Sequence, residues 1–163
     1  MKRKVQIVIA AAFMITLIPT EAAHSQGQPI QLALFNPIQI VPEGQAISGI
    51  RLNLIYGKNT SVTGVDFGLV NHTTSGHSQG LQFGFVGYNE ADFTGWMEHA
   101  VNITQGKDTG VQFGIFNHAR RMEGVQIGLV NHAESLHGLQ IGLVNVIDSG
   151  GAFPVLPIVN WSF

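Results

Sequence analysis

The sequence predicts an all-β protein built as a repeat β-solenoid of about nine coils, each 14–16 residues long. Three observations predict this fold. An eight-residue pattern recurs along the chain, apolar residues alternate with small or amide residues inside each copy, and turn-forming residues separate the copies. Charged residues make up 11% of the chain and 20 of the 163 residues are glycine, which excludes a coiled coil and a charge-rich disordered chain.

The N-terminal segment, residues 1–25, is predicted to be a secretory signal peptide. Basic residues 2–4 are followed by the apolar run 5–18 and by a small-x-small sequence at residues 23–25, which is the order typical of such signals. The apolar run is shorter than the roughly 20 residues that a membrane-spanning helix needs. We therefore expect the mature protein to be residues 26–163, which form a single repeat β domain.

The repeat is clearest in residues 110–117, 124–131 and 138–145. These segments share the pattern G-Φ-Q-Φ-G-Φ-Φ-N, in which Φ is an apolar residue, and they recur with a period of 14 residues. Looser copies begin at Pro29, Gly49, Gly64, Gly80, Gly95 and Ala152. No break in composition divides the array, so one domain is predicted.

Each copy has the alternation of a β-strand. In the copy that begins at Gly124, Val125, Ile127 and Leu129 lie on one face of an extended chain, and Gln126 lies on the other. A period of two with β-branched and aromatic residues favours a strand over a helix. The apolar face is expected to fill the core of the solenoid. An apolar residue of the return segment, such as Phe93, Met122 or Leu136, is expected to face the core as well.

A parallel solenoid stacks equivalent residues about 4.8 Å apart, so the repeated amide residues are predicted to form ladders of hydrogen-bonded side chains. The predicted asparagine ladder comprises Asn71, Asn102, Asn117, Asn131, Asn145 and Asn160. The predicted glutamine ladder comprises Gln112, Gln126 and Gln140.

A small antiparallel outer-membrane β-barrel is the alternative architecture. Strands of about ten residues, tilted by about 40°, would span the membrane, with the apolar face toward lipid. The C-terminal sequence, with Trp161 and Phe163 at alternate positions, resembles the C-terminal signal of such barrels. The odd number of copies, the uniformly short connections and the strict repetition of Gln and Asn favour the solenoid.

Histidines follow the repeat asparagine at His72, His118 and His132. In a solenoid, His118 and His132 would stack about 5 Å apart, and imidazoles that close could share a metal ion. Tyr88 and Ile103 occupy the same position in other copies. We therefore interpret it as an exposed polar position and predict no metal site.

One copy departs from the pattern in its chemistry. Glu98 occupies an apolar position, and His99 replaces the repeat glycine. A carboxylate buried in the core would need a partner or a proton. We expect a local bulge that turns Glu98 to solvent and makes this copy the least regular.

The composition also excludes several functions. The chain contains no cysteine, which excludes disulfides, thiol catalysis and iron–sulfur clusters. The formal net charge of −2 offers no basic surface for nucleic acid. No catalytic triad spacing or phosphate-binding loop is present, so the chain is predicted not to be an enzyme, with no catalytic, cofactor-binding or metal site.

The repeat resembles the tandem "GVQIGLVN"-type units of bacterial surface-repeat proteins, well over residues 64–163 and weakly over residues 30–56. The resemblance implies a location in the cell envelope and no assigned chemistry. A weaker similarity is to the curlin repeat Q-x-G-x-x-N-x-A, which Gln126, Gly128 and Asn131 match together with Ala133. That similarity supports stacked Gln and Asn ladders.

The function expected from the sequence is that of an exported cell-envelope or surface protein with a structural or adhesive role. It would lie in the outer membrane or on the cell surface, or be periplasmic or secreted. Its partner would belong to the envelope or the surface, and contact with the membrane would follow from the barrel alternative. That alternative carries a different role, as a channel or envelope protein.

Overall fold

The computed structural model describes residues 27–163, which are all-β. The strands are β1 (Gln28–Phe35), β2 (Ile38–Gln39), β3 (Ile47–Asn59), β4 (Val62–Thr73), β5 (Ser78–Asn89), β6 (Phe93–Ser149) and β7 (Val155–Ser162). Strand β6 runs for 57 residues because the chain passes from coil to coil there without leaving extended geometry. The predicted signal peptide, residues 1–25, lies outside the described residues.

The coils stack in parallel. Strands β1, β3, β4, β5 and the start of β6 pair in parallel order, with Gly49 beside Gly64, Gly64 beside Gly80 and Gly80 beside Gly95. Parallel pairing between consecutive repeats confirms the predicted β-solenoid, and the antiparallel alternative is wrong for this part of the chain.

The glycine column continues through β6. Gly124 has a φ of +138°, and a Cβ added there would collide with the carbonyl oxygen of Gly110. Glycine is therefore required for both its conformation and the close approach of the coil before it. Gly110 and Gly138 approach the preceding coils in the same way.

The last copy of the repeat is not a coil, so the structure has fewer coils than the nine predicted. Strand β7 pairs antiparallel with β6, with Asn160 beside Gln140 and Trp161 beside Leu139. The chain reverses at Gly150, whose φ of +77° lies in the left-handed region that glycine adopts without strain. Strand β7 thereby covers the edge of the last coil, which would otherwise be open to pairing with another chain.

The other end of the solenoid is closed in the same manner. The short strand β2 pairs antiparallel with β1, with Ala33 beside Gln39. Solenoids depend on such caps because their terminal coils have no neighbour on one side.

The predicted core was wrong, because the alternating apolar residues face outward and the amides face inward. Leu129 is 51% exposed and Ile115 is 58% exposed, whereas Gln126 is fully buried. The cause is the narrow interior of the coil. A Cβ added to Gly128 would lie 2.6 Å from Nδ2 of Asn117, so this face of the strand has room for glycine and for amides that bond one another.

The return segment does contribute to the core, as predicted. Phe93, Met122 and Leu136 are all buried. In the C-terminal half, Met122 and Leu136 pack with Ala119, Ala133 and Ile147 in one apolar cluster. The interior therefore has an apolar side and an amide side.

Candidate functional site

The outer surface of the parallel strands carries large apolar side chains on every coil, and we call this surface the apolar face. Its exposed members include Ile50, Leu52, Leu54, Phe67, Leu69, Leu81, Phe85, Trp96, Phe113, Ile115, Leu129, Ile141 and Leu143. Neighbours stack along it, as in Phe67 and Phe83, whose ring centroids are 5.0 Å apart. Contiguous exposed apolar patches larger than a few hundred Å² mark contact surfaces on soluble proteins.

Glu98 is a charged residue in the apolar face. It is exposed, as expected, but the predicted bulge is wrong, because Glu98 lies in regular register beside Phe83. Glu98 reaches solvent because this whole side of the strands faces outward. Nε1 of Trp96 donates a hydrogen bond of 3.2 Å to its carboxylate.

A groove runs along the apolar face next to Glu98. Its volume is about 940 Å³, and its lining includes Ala100, Phe113, Leu129 and Ile158. Where Ala100 lines the groove, a small side chain stands in a column that otherwise carries Phe85 and Ile115. Its walls are almost entirely apolar, so it suits an apolar side chain better than a polar ligand.

Beneath the apolar face runs the asparagine ladder. Nδ2 of Asn102, Asn117 and Asn131 donates to Oδ1 of the next asparagine along the chain, in each case at 2.8 Å. The same groups also donate to backbone carbonyls of the next coil, such as Ile141 at 2.9 Å from Asn131. The ladder predicted for Asn102 to Asn145 is confirmed.

Asn160 does not belong to the ladder, contrary to prediction. It lies on the antiparallel strand β7, where its Nδ2 donates to the carbonyl of Phe153 at 2.8 Å. The ladder instead ends at Asn145, whose Nδ2 donates to the carbonyl of Leu156 at 3.0 Å.

The glutamine ladder runs beside the asparagine ladder with the opposite polarity. Nε2 of Gln140 donates to Oε1 of Gln126 at 2.8 Å, and Nε2 of Gln126 donates to Gln112 at 2.7 Å. The donors point toward the N-terminus here and toward the C-terminus in the asparagine ladder. The two rows of amide dipoles therefore oppose each other inside the same coils.

Histidine 99 continues the asparagine ladder where an asparagine is missing. The repeat asparagine is replaced by Gly87, and the ring of His99 fills the space, with Cε1 only 2.6 Å from where a Cβ of Gly87 would lie. His99 Nε2 is 3.1 Å from Asn71 Nδ2, and its Nδ1 is 2.7 Å from Asn102 Oδ1. Because Asn71 donates and Asn102 accepts, the proton belongs on Nδ1 and the ladder stays continuous.

Burial lowers the pKa of His99, although its hydrogen bond to Asn102 works in the opposite direction. Protonation would place an Nε2–H against the amide donor of Asn71. Both effects favour the neutral ring. His99 is thus a structural member of the ladder, and the sequence anomaly at this position is explained by Gly87.

A similar exchange occurs within the copy that begins at Gly49, two coils nearer the N-terminus. Asn53 stands where later copies have glycine, and Gly57 stands in the asparagine column. The side chain of Asn53 occupies the space that any side chain on Gly57 would need. Its Nδ2 donates to Oδ1 of Asn71 at 2.9 Å, so it takes the place of the missing ladder residue.

Two buried charges replace the glutamine ladder in the first coils. Arg51 and Asp66 form a bidentate ion pair, with Nε to Oδ1 at 2.8 Å and Nη2 to Oδ2 at 2.6 Å. Both side chains are buried. Gln82 Nε2 donates to the same carboxylate at 2.8 Å, and Arg51 Nη1 donates to the carbonyl of His72 at 2.9 Å.

Asp108 is a second buried carboxylate, in a column that holds apolar residues in neighbouring coils. Its Oδ2 accepts from Thr104 Oγ1 and Gln112 Nε2, both at 2.8 Å, while its Oδ1 has no hydrogen-bond partner. Burial is the main cause that raises its pKa to about 7, and the two hydrogen bonds oppose that shift. Asp108 therefore accepts the hydrogen bond from Gln112, the N-terminal residue of the glutamine ladder.

The histidine column lies on the polar outer side of the coils. The rings of His118 and His132 have centroids 4.9 Å apart, which confirms the predicted stacking, and their Nδ1 atoms are 3.1 Å apart. Nε2 of His132 faces the carboxylate of Asp148 at 3.1 Å. Burial, followed by the neighbouring His132, lowers the pKa of His118.

His72 has different partners, so the three histidines do not form one group. Its Nδ1 is 2.6 Å from the hydroxyl of Tyr56, and its Nε2 is 2.7 Å from Glu90. Residues 27–163 contain no group of three or more His, Asp or Glu side chains arranged to hold a metal ion.

The ion pair, the burial of Asp108 and the role of His99 were not predicted from the sequence. For which strand face is buried, one signal was available: in the copies between Gly110 and Asn145, Gln and Asn repeat without change, whereas the alternating apolar positions vary among Val, Leu, Ile and Phe. A position that tolerates many apolar shapes is typical of a surface, and a position that demands one amide is typical of a ladder.

Within residues 27–163, no helix is long and apolar enough to cross a membrane. Comparison with protein-family models, with curated proteins and with solved structures found no match to this chain.

Proposed function

We propose that this chain is an exported repeat protein of the cell envelope or cell surface, with a structural or adhesive role and no catalysis. The apolar face is the observation that carries the proposal. It spans the coils from Ile50 to Leu143 on strands whose amides are paired inside. A surface of this kind is costly in water, so it is best explained as a surface that makes contacts.

The chemistry of the interior supports a role in binding or structure over a role in catalysis. Arg51, Asp66 and Asp108 are each buried inside the coils, where a substrate has no access. Their partners are amides, a hydroxyl and one another. These contacts serve the stacking of coils.

Two features of the sequence add to the proposal. The predicted signal peptide, residues 1–25, would export the chain, and the tandem-unit resemblance would place it in the envelope. The antiparallel barrel, with its role as a channel, is not favoured, because the strands of consecutive copies pair in parallel.

Fractionation of the native host tests the location. The protein should be recovered with the envelope or the medium, and its N-terminal sequence should begin near Gln26. Recovery in the cytoplasm with Met1 retained would contradict the export proposal.

A contact assay tests the role. Cells producing Leu69→Glu should lose attachment or envelope retention, because the substitution places a charge within the apolar face. Ser75→Glu, in an exposed turn away from that face, is the matched control and should behave like the parent. Equal behaviour of the two variants would contradict the role assigned to the apolar face.

A further inference from the structure

The dimensions of the apolar face approach those of a standard protein interface. The stack rises through the positions of Pro29, Gly49, Gly64, Gly80, Gly95, Gly110, Gly124 and Gly138. Strands lie about 4.8 Å apart, and the outward-facing side chains of each strand span about five residues of 3.3 Å each. The face therefore measures about 38 by 17 Å. Two such faces in contact bury about 1,200 Å² or more, where stable dimers begin.

We propose that a second copy of this chain covers the apolar face, forming a closed two-fold dimer in which the two sheets pack face to face. The inference rests on the proposed function and names the partner of its contact surface. Because every coil presents similar apolar residues, the face is complementary to itself, as a two-fold interface requires. Sheets packed in this way lie about 10 Å apart.

Glu98 argues for a protein partner over a lipid one. It lies near the centre of the apolar face and is hydrogen bonded to Trp96. Insertion of the face into a bilayer would carry this carboxylate into hydrocarbon, which is strongly unfavourable. A protein interface can leave the carboxylate paired with the indole and in contact with water at a groove.

The positions of Glu98 bear on the orientation of the two copies. If each coil faced the same coil of the partner, two Glu98 carboxylates would lie directly opposite each other, whereas with the order of the coils reversed they are offset by one strand spacing and each faces Phe83 of the other copy. A two-fold axis parallel to the strands reverses the order of the coils instead. With the axis midway between the levels of Gly80 and Gly95, four levels lie on each side and the faces overlap fully.

The reversed order is also complementary in shape. Under this symmetry Phe85 of one copy faces Ala100 of the other, and Phe83 faces Glu98. Phe85 is 57% exposed, and Ala100 lines the groove of about 940 Å³. The large side chain of one copy therefore meets the recess of the other, twice in each dimer.

Sedimentation analysis of the mature protein, supported by light scattering, is the first test. The parent should be a dimer at micromolar concentration, and Leu129→Glu should weaken dimerisation at least tenfold, while Ser75→Glu should not. Circular dichroism should show the same β-structure for all three, since Leu129 is on the outside. A parent that is monomeric at tens of micromolar, or that forms open-ended aggregates, would overturn the proposal.

Cross-linking tests the orientation. Because the chain contains no natural cysteine, only the introduced thiols react. In the reversed order, Leu129 of one copy faces Leu54 of the other, while the two Leu129 residues are about five strand spacings apart. A short bismaleimide should join Leu54→Cys to Leu129→Cys after the two variants are mixed and allowed to exchange. Cross-linking of Leu129→Cys with itself at equal yield would refute this orientation.

Vesicle flotation separates the alternatives. The parent is incubated with phosphatidylethanolamine–phosphatidylglycerol vesicles and should stay at the bottom of the gradient as a dimer. A monomer that floats with the vesicles would refute the second copy as partner while leaving the envelope role in place. Failure of export in the fractionation experiment would instead refute the proposed function and leave the dimer untouched.

Discussion

The C-terminal coils and the N-terminal coils build the same interior in different ways. From Gly110 to Ser149, each coil contributes one glutamine, two glycines and one asparagine at fixed positions, and both ladders are uninterrupted. From Ile47 to Lys107, an ion pair, a displaced asparagine and a histidine occupy the same spaces. The comparison shows that each coil needs its interior space filled and its buried hydrogen-bond donors paired. The residue that does this can differ from coil to coil.

The two regions should differ most in how much unfolding free energy is lost when one partner of a buried interaction is removed. Arg51→Met leaves Asp66 buried beside Gln82 without its cation, and we expect a loss of about 3–5 kcal/mol in unfolding free energy. The double variant Arg51→Met with Asp66→Leu removes both charges and should recover part of that loss, because the buried Nε2 of Gln82 then lacks its acceptor. Urea unfolding followed by circular dichroism measures both. A double variant as unstable as the single one would contradict this account of the ion pair.

Asp108 lies at the boundary between the two regions and should give the next largest effect. Its pKa is raised to about 7 in the folded chain from an ordinary value of 3.8, so its contribution to stability is lost as the pH rises between these values. Asp108→Asn keeps the shape without the charge and should stabilise the protein at pH 8 by about 3 kcal/mol. The difference between parent and variant should vanish near pH 4.

Asp92 provides a matched control for that experiment, since it is an exposed aspartate near the same boundary. Asp92→Asn should not reproduce the gain in stability at pH 8, and it weakens a turn contact to the backbone N–H of Lys107. If Asp108→Asn and the parent keep the same pH profile, the buried carboxylate does not carry the effect.

Within the regular C-terminal region, Asn131→Leu should be destabilising by about 2–3 kcal/mol. It removes the donor to Asn145, the acceptor for Asn117 and the donor to the carbonyl of Ile141. Asn160→Leu should cost about half as much, because Asn160 lies outside the ladder and donates to one carbonyl. Thermal and chemical unfolding of the two variants test this order, and equal, near-zero losses would be evidence against a working ladder.

Much of the C-terminal region could be predicted from the sequence, because its repeats are exact enough to place the ladders of Gln126 and Asn131. Which face of each strand is buried could not be predicted, because alternation separates the two faces without saying which one is inside. It was decided by the width of the coil, which admits an amide but no bulkier neighbour beside Gly128.

The N-terminal region was harder to predict because one of its compensations crosses from one copy to another. Gly87 and His99 lie in different coils, and only the stacking brings them together. Within its own copy, each of these two residues is a departure from the repeat pattern. The reversal at Gly150 was missed for a related reason, since strand β7 keeps the apolar spacing of the repeat while pairing in the opposite direction.

The smallest net effect is expected from restoring the regular pattern at this point. Gly87→Asn alone should collide with the ring of His99, and His99→Gly alone should leave a hole in the ladder, each at a cost of about 1–3 kcal/mol. The double variant Gly87→Asn with His99→Gly recreates the composition of the C-terminal coils and should be nearly as stable as the parent at pH 8. A double-mutant cycle measures the coupling between the two sites.

The pH dependence of the same cycle distinguishes a ladder residue from a space filler. The pKa of His99 is lowered from its ordinary value of 6.5, so its contribution to stability is present above that pH and is lost as the pH falls below it. The parent should therefore lose stability relative to the double variant on going from pH 8 to pH 5. This slope opposes that of Asp108, but both proteins contain Asp108, and its effect cancels in the difference. A double variant that shows no coupling, or a difference independent of pH, would mean that His99 does not join Asn71 to Asn102.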